Sequence, residues 1–591
     1  MARLIEDYGL IGDGETAALV SRDGSIDWLC WPRFDSDACF AALLGTAEHG
    51  SWKIAARDPH QTKRRYQPDT LVLETDQTTD QGAIRIIDFM PIRDGASVLV
   101  RRVSGLAGRV RVSSELNLQF DYGSMPPWIE IEGRAAMARV GPDVVTFRSP
   151  ADLDLRGGTM VSEVEVREGD ELHFVLSYQS YAHHQELRLD PLKLLTTTQR
   201  YWREWISRFE RQTDWPDAVR RSLITLKALI YRPSGGIVAA PTTSLPEAPS
   251  GEMNWDYRYC WLRDATFTLA ALVNAGFHEE ALAWRDWLLR AVAGAPEKMR
   301  IMYRLDGMRR LEEWVPNWLP GFRWRPPVRI GNAASQQLQL DVFGELLDTL
   351  HLAARGGIKP SEQALQLQDA IVQHVAAIWR RPDHGLWELR GKPRHYVYSK
   401  VSAWVAIDRY VSGHTTGKRM DRAGAAHMQS LRSSMHEEIC REGFDQGLGT
   451  FVSHYGSQSL DASLLLLPLV GFLPASDERM TRTIAAIERD LVEDGLVRRW
   501  RPHNETPEGA FLACSSWLAE CQNLQGRHQD ARATFERLLA VRNDLGLLAE
   551  EYDTRAHHLA GNFPQALSHL ALVQTALALC GPTERRGDGA H

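Results

Sequence analysis

One change in hydrophobic periodicity divides this chain and limits what it can fold into. Up to about residue 185, apolar and polar residues alternate in short segments such as "SVLVRRVSGLAGRVRVSSELNLQ", separated by Asp-Gly, Asp-Gln-Gly and proline turns. A period of two is typical of antiparallel strands with one buried face. From about residue 215 onward, apolar residues recur at helical spacing instead. The chain therefore predicts a β domain followed by an all-α domain.

The second region contains twelve segments with helical periodicity. They lie near residues 215–232, 262–276, 278–294, 334–356, 362–381, 399–412, 421–441, 460–472, 476–492, 510–525, 528–542 and 564–580. Twelve helices in pairs fit an (α/α)6 barrel of six inner and six outer helices, with a helical solenoid as the competing arrangement. The most apolar segments, such as "SLLLLPLVGFL" and "FLACSSWLA", are expected on the inside.

The predicted fold class is therefore multidomain, β plus all-α: an N-terminal antiparallel β-sandwich followed by an (α/α)6 barrel. The predicted boundaries are a β-sandwich domain over 1–188, a linker helix over 189–213, a catalytic barrel over 214–582 and a flexible tail over 583–591.

Composition excludes several classes of function. A net charge of -8 and a pI near 6.2 give no general attraction to nucleic acid or to an anionic membrane. The longest apolar run is about half a membrane span and contains a proline, and the amino terminus lacks a signal-peptide pattern. Seven cysteines without a CxxC pair, and no HExxH motif, favour a cytoplasmic protein with no metal and no cofactor. The short "GDGETA" segment is not preceded by a strand, so a dinucleotide site is not predicted there.

Long loops between the helices concentrate aromatic and charged residues. The first loop ends in "NWDYRYCWLRDATFTL", which contains Trp261, Arg263 and Asp264. Aromatic faces cover the apolar faces of a pyranose, and Arg and Asp form charge-assisted hydrogen bonds to its hydroxyl groups. A helix start at which Asp264 favours the N-terminal dipole is an equally good explanation of this stretch alone.

Two further loops repeat this composition. The second loop, "EEWVPNWLPGFRWRPPVRIGN", has three tryptophans in eleven residues, including Trp324. These tryptophans could alternatively pack between the two domains. The fourth, "DGLVRRWRPHNETPEGAF", contains Arg499. Loops of this length in a compact domain usually carry function.

The third and fifth loops each supply a carboxylate. "HGLWELRG" contains Trp387 and Glu388, and "GLLAEEYD" contains Glu550 followed by Glu551. A helix-flanking charge, or a solvated acidic pair, would explain either acid alone. Together they provide what glycoside hydrolysis needs, a protonated acid and an ionised base on opposite sides of a pocket. We expect Trp387 to shield Glu388 and keep it protonated, with Glu550 as the ionised partner.

These segments resemble glycoside hydrolase family 15, which includes glucoamylases, glucodextranases and bacterial trehalases. The start, "IEDYGLIGDGETAALVSRDGSIDWLCWPRFDSDACFAALLG", is similar to the N-terminal β domain of the trehalase-like bacterial branch, and the resemblance covers nearly the whole chain. "YCWLRDATFTL", "GLWELR", "AEEYD" and "VRRW" are similar to the family's substrate-binding, general-acid, general-base and arginine segments.

The resemblance implies a role for each matching position. Arg263 and Asp264 would hold the nonreducing glucose, Glu388 would be the general acid, Glu550 the general base, and Arg499 a substrate-binding residue. Trp261 and Trp387 would line the same site. The sequence departs from the expected pattern at Trp324, where relatives are expected to have a small residue, so Trp324 is predicted to reshape the subsite of the leaving sugar.

The resemblance also implies an inverting, exo-acting α-glucoside hydrolase of trehalase type that releases glucose from a small-molecule substrate. Hydrolysis of α-1,4 or α-1,6 gluco-oligosaccharides is the alternative within the fold, and a noncatalytic carbohydrate-binding protein is the alternative of another class. Phosphorolysis is a further alternative. Neither a nucleic acid nor a membrane is expected as a partner, and homo-oligomer formation stays open.

Overall fold

A computed structural model describes residues 3–251, 253–294, 296–414, 422–501 and 508–581 of the 591-residue chain. The predicted tail over 583–591 lies outside the described residues, as does the middle of the fourth loop at 502–507. Among the described helices, none has both the length and the apolar character needed to cross a membrane.

Antiparallel strands build the first 180 residues. These strands are β1 (Tyr8–Gly12), β2 (Ala17–Ser21), β3 (Ser25–Cys30), β4 (Ala38–Phe40), β5 (Ser51–Ala56), β6 (Gln61–Tyr66), β7 (Leu73–Thr79), β8 (Gly82–Phe89), β9 (Ser97–Asn117), β10 (Trp128–Glu132), β11 (Ala135–Val140), β12 (Asp143–Arg148), β13 (Asp154–Arg156), β14 (Thr159–Arg167) and β15 (Glu171–Ser180). A four-residue turn of helix, α1 (Phe120–Gly123), follows β9.

The long strand β9 links the two layers of this domain. Its first part pairs with β8 and β15, and its second part pairs with β5 and β14. Between the layers, Trp52 of β5 packs edge-on against Phe147 of β12, with 5.4 Å between the ring centroids. The alternating pattern of the sequence is thus explained by two antiparallel layers around an apolar core, and the predicted β domain is confirmed.

Helices build the rest of the chain. They are a connecting helix α2 (Pro191–Ile206), and then α3 (Pro216–Ala228), α4 (Leu262–Asn274), α5 (His278–Ala291), α6 (Asp341–Arg355), α7 (Glu362–Ile378), α8 (Val397–His414), α9 (Arg422–Glu442), α10 (Leu466–Leu469), α11 (Glu478–Leu491), α12 (Leu512–Leu524), α13 (His528–Leu539) and α14 (Ala566–Leu579). The region also has short strands β16 (Cys260–Trp261), β17 (Met302–Tyr303), β18 (Phe444–Asp445), β19 (Thr450–Phe451), β20 (Val492–Glu493), β21 (Leu496–Val497), β22 (Ala510–Phe511), β23 (Glu551–Asp553) and β24 (His558–Ala560).

The even-numbered helices from α4 to α14 form a closed ring. Each contacts the next, from α4 through α6, α8, α10 and α12 to α14, and α14 returns to α4. The odd-numbered helices from α3 to α13 pack outside this ring. A ring that closes on itself distinguishes the (α/α)6 barrel from a solenoid, in which the terminal helices stay apart. The barrel prediction is confirmed.

Two predicted helices differ from the structure in detail. The segment near 334–356 contains a 3-10 turn over Ala333–Gln336, and α6 begins only at Asp341. The apolar segment near 460–472 is a 3-10 turn followed by the four-residue helix α10. Pro468 in this segment has no backbone N–H to donate, which disfavours a longer regular helix. The segment is nevertheless buried inside the ring, as its composition predicts.

The β domain contacts the loop that precedes α4. The indole nitrogen of Trp28 donates to the carbonyl of Pro241 at 2.7 Å. Arg258, fully buried, binds Asp256 through two nitrogens and donates to the carbonyl of Ser36 at 2.8 Å. These buried polar contacts fix the loop that contains Trp261 against the β domain.

Candidate active site

One cavity opens among the loops at the N-terminal ends of the inner helices. It contains about 990 Å³ of space, part of it open to solvent. Its walls are Ala239, Glu247, Met253, Trp255, Tyr257, Trp261, Arg263, Asp264, Phe267, Asn332, Ala334, Leu386, Trp387, Glu388, Leu389, Arg390, Arg499, Trp500, Phe511, Trp517, Glu550, Gln565 and Leu567.

Glu388 lies on one wall, in the loop before α8. Its backbone has a positive φ of 56°, which is uncommon for a residue with a side chain and is often found at functional sites. Its Oε1 atom accepts a hydrogen bond of 2.6 Å from the Trp261 indole nitrogen and one of 3.2 Å from Arg263. The side chain is 17% exposed, so it is accessible from the cavity.

Trp387 contacts the aromatic wall of the cavity. Its ring packs against Trp500, Phe511 and Trp517, and its indole nitrogen donates to Asp461 at 2.8 Å. The groups that bind the Glu388 carboxylate are instead Trp261 and Arg263. Two donors from the start of α4 thus contact the Glu388 carboxylate, and the shielding of Glu388 by Trp387 stays a prediction.

Arg263 and Asp264 lie deeper in the cavity, at the start of α4. Arg263 also donates to the carbonyl of Leu386 at 2.7 Å, which connects α4 to the loop of Glu388. Burial raises the pKa of Asp264 to about 6, although the positive charge of Arg263 opposes this. Behind them, burial raises the pKa of Asp341 to about 7, and this carboxylate lies 3.6 Å from Arg263.

Glu550 lies just before β23 and is buried, with 3% exposure. The Tyr257 hydroxyl donates to its Oε1 atom at 2.8 Å, while its buried Oε2 atom has no hydrogen-bond partner among the described residues. Gly561 passes directly beside it: a Cβ atom there would lie 2.9 Å from both Cβ and Oε2 of Glu550. Burial, and then the nearby carboxylate of Glu247, raise the pKa of Glu550 well above its ordinary value.

Arg499 is the centre of a buried charged cluster next to Glu550. Its Nη2 atom lies 2.7 Å from Glu247, 2.8 Å from Glu508 and 3.1 Å from Glu551. Burial raises the pKa of Glu247 and of Glu551, and Arg499 opposes both shifts. Oxygen atoms of the three carboxylates lie within 4.8 Å of one another, a spacing that a cation could bridge, and Arg499 supplies positive charge at that position.

The cavity brings together seven of the eight side chains predicted from the sequence. These are Glu388, Trp387, Trp261, Arg263, Asp264, Arg499 and Glu550. Trp324 does not line the cavity and is 74% exposed. It follows Arg323 in a tight turn in which both residues have positive φ. The turn leaves the indole in solvent, so the structure does not place Trp324 in the predicted leaving-sugar subsite.

Sequence reasoning missed Glu247. It lies in "SLPEAPSG", a loop stretch with no periodicity and only one acid, so no local pattern distinguishes it from a solvated residue. Its importance comes from a contact with Arg499, which is 252 positions away in the sequence. Tyr257 and Arg390 lie within the motifs quoted for other residues, and only the fold shows that they share the cavity.

Comparison with known proteins identifies the family of this chain. The sequence profile described as "Glycosyl hydrolases family 15" matches residues 215–577, and the profile "Trehalase-like, N-terminal" matches residues 1–151. The chain belongs to glycosyl hydrolases family 15. It is therefore a glycoside hydrolase, with an N-terminal region of the trehalase-like kind.

Family 15 relatives align along nearly the whole chain. A protein named trehalase from Mycobacterium tuberculosis is 35% identical, over 97% of this chain and 89% of its own length. Another, from Thermoplasma volcanium, is 33% identical over 97% of this chain and 93% of its own length. Among solved structures, a bacterial glucoamylase in complex with acarbose covers 98% of this chain and 94% of its own, with a TM-score of 0.69 and 13% identity, which shows a shared fold.

Proposed function

We propose that this family 15 protein hydrolyses α,α-trehalose to two molecules of glucose with inversion of the anomeric centre. The observation that carries the proposal is the placement of Glu388 and Glu550 on one cavity that also contains Arg263 and Asp264. The two relatives described above, both named trehalase, support trehalose as the substrate.

In this mechanism, Glu388 gives a proton to the glycosidic oxygen as the bond from that oxygen to the anomeric carbon breaks. Trp261 and Arg263 both donate to Oε1 of this carboxylate, so we assign the proton to Oε2. Glu550 takes a proton from the water whose oxygen bonds to the anomeric carbon. Tyr257 donates to Glu550 and helps to hold it as a carboxylate.

The remaining walls fit the glucose unit that is transferred to water. Trp261 and the aromatic group around Trp387 offer apolar surfaces, while Asp264 and Arg263 offer charged hydrogen-bonding groups. Arg499 is already bound by Glu247, Glu508 and Glu551, so its predicted contact with sugar is added to these ion pairs. All seven cysteines are free thiols, which supports a reducing, cytoplasmic location as part of this proposal.

Hydrolysis of an α-1,6 glucoside is the second candidate. A relative named isomaltose glucohydrolase, from Kribbella flavida, is 28% identical over 48% of this chain and 69% of its own length. It covers far less of this chain than the relatives named trehalase do, which is why trehalose is the primary proposal.

A substrate panel tests the proposal. Purified protein is incubated with trehalose, maltose, isomaltose, nigerose and longer glucans, and the products are followed by proton NMR. We expect trehalose to give the highest kcat/KM, with equal amounts of α- and β-glucose appearing first, since inversion converts only one of its two α-linked glucoses to the β form. Preferred cleavage of isomaltose would favour the second candidate, and turnover that requires phosphate and yields a sugar phosphate would identify a phosphorylase.

A further inference from the structure

A pair of side chains, Arg390 and Trp255, lies at the outer part of the cavity wall. Arg390 is 38% exposed, whereas the Glu388 side chain is 17% exposed and that of Asp264 is buried, so exposure increases from the glucose-binding side chains toward Arg390. Arg390 follows Glu388 by two residues, and Trp255 precedes Tyr257, the partner of Glu550, by two. The pair therefore lies beside both catalytic segments.

Arg390 is held in place by Glu313 and Trp255. Two guanidinium nitrogens of Arg390 donate to the two carboxylate oxygens of Glu313, at 3.0 and 2.6 Å. Its guanidinium carbon lies 4.0 Å from the centre of the Trp255 ring. Because arginine carries five N–H donors, this two-point contact leaves donors for another ligand.

A second arginine supports the same tryptophan. The guanidinium carbon of Arg329 lies 4.5 Å from the centre of the Trp255 ring, and its Nε atom lies 3.5 Å from Glu313. Arg329 also donates to the backbone carbonyl of Asn254 at 2.8 Å, which connects it to the segment of Trp255. A partly exposed ion pair adds little to stability, so these contacts matter more for fixing the position of Arg390 than for the fold.

We propose that Arg390, fixed by Glu313 and Trp255, binds hydroxyl groups of the leaving sugar and selects substrates whose leaving group is a pyranose. This inference rests on the proposed function, because it takes Glu388 as the proton donor. The bridging oxygen must lie next to Glu388, and the transferred glucose occupies the deep side near Asp264. The leaving sugar then extends toward the exposed side of the cavity wall, to which Arg390 contributes a more exposed side chain two residues after Glu388.

The test compares three substrates that share the transferred glucose. Trehalose has a sugar as its leaving group, methyl α-glucoside needs the same protonation but has no leaving sugar, and α-glucosyl fluoride needs neither. For Arg390→Ala we expect kcat/KM on trehalose to fall about tenfold or more, as the loss of a charge-assisted hydrogen bond predicts, mainly through KM. Methyl α-glucoside and α-glucosyl fluoride should change by less than about twofold.

Two further variants serve as controls. Arg390→Lys keeps the charge but lacks the planar two-point geometry, so it should retain only part of the trehalose activity. Arg323→Ala changes an exposed arginine outside the cavity and should leave all three substrates unaffected.

The three substrates separate the outcomes. An equal loss on trehalose and methyl α-glucoside in Arg390→Ala would mean that the change disturbs Glu388, and it would overturn the inference. Unchanged kinetics on trehalose would overturn it as well. If the wild-type protein hydrolyses none of the three substrates, the proposed function itself is wrong and the inference is rejected with it.

Discussion

The two carboxylates on the cavity wall have opposite surroundings. Glu388 is partly exposed, and its neighbours are donors, the indole of Trp261 and the guanidinium of Arg263. Glu550 is buried next to another carboxylate, Glu247, and the donor in contact with its side chain is Tyr257. The proposed acid is therefore partly open to solvent, whereas the proposed base is enclosed.

This difference fits the two steps that hydrolysis combines. A leaving group has to enter and depart beside the acid, which an open wall permits. The base handles only a water molecule, and an enclosed carboxylate can hold one in a fixed position. Enclosure has a consequence for charge, because a buried carboxylate next to another resists ionisation. The base side should therefore control the acidic end of the pH dependence.

The largest expected effect comes from removing the base. Glu550→Gln should lower kcat/KM on trehalose by about 10³-fold, since the neutral amide cannot take a proton from the water. The same loss should appear with α-glucosyl fluoride, because water must attack in both reactions. Glu551→Gln is the matched control at the neighbouring position. Glu551 lies 3.1 Å from Arg499, and the loss of activity in this variant should be far milder. Full activity of Glu550→Gln would show that another carboxylate is the base.

The second largest effect is expected from removing the proposed acid, Glu388. Glu388→Gln should reduce trehalose hydrolysis by about 10² to 10³-fold but largely spare α-glucosyl fluoride, since fluoride leaves without a proton. Initial rates of glucose release from both substrates provide the measurement. If Glu388→Gln and Glu550→Gln lose hydrolysis of α-glucosyl fluoride equally, the assignment of separate roles to these two carboxylates is wrong.

A smaller effect is expected when one methyl group is added beside Glu550. Gly561 has φ of 76°, and a Cβ atom there would lie 2.9 Å from the Glu550 carboxylate. Gly561→Ala should displace Glu550 and lower kcat by about 10²-fold, the size expected for an ångström-scale misplacement. Gly276→Ala is the control, because Gly276 also has positive φ but nothing within 4 Å of its added Cβ. If the two variants lose activity equally, backbone strain explains the loss and displacement of the base does not.

The overall architecture could be predicted from the sequence because hydrophobic period is a local property. Strand alternation and helical spacing are repeated over many residues, so the β domain and the twelve barrel helices were all detectable. The exceptions follow local chemistry: the predicted helix around Pro468 is shorter than its apolar run. Closure of the ring between α14 and α4 depends on contacts between segments that are distant in the sequence. The sequence could only suggest this closure, through the presence of twelve helical segments that can be grouped in pairs.

The site was predictable where its residues are adjacent in sequence. Arg263 and Asp264, or Trp387 and Glu388, form recognisable motifs, and the fold brings these motifs to one cavity. Trp324 has similar neighbours, yet its side chain is in solvent, because composition does not determine the direction of a turn. Glu247 shows the converse, since only its long-range contacts reveal it.

The smallest predicted effect concerns the charge of the base. Burial and Glu247 raise the pKa of Glu550, and Glu550 must be ionised to act. Activity should therefore be lost as the pH falls through this raised pKa, at a higher pH than for an ordinary glutamate. Glu247→Gln removes one negative charge, so the pKa of Glu550 should fall and the acidic limb of kcat/KM should move to lower pH.

The charged groups around Glu247 and Glu550 offer a control for the Glu247→Gln variant. The titratable side chains near Glu247 and Glu550 are Tyr257, Asp264, Arg499, Glu508 and Glu551. Glu508→Gln also removes a carboxylate from Arg499. Because Glu247 is the carboxylate that most raises the pKa of Glu550, the acidic limb should move less in Glu508→Gln. A purely structural role for Glu247 would lower kcat/KM at every pH without moving the limb. A limb that moves equally in both variants would mean that Arg499, and not Glu247, sets the charge of the base.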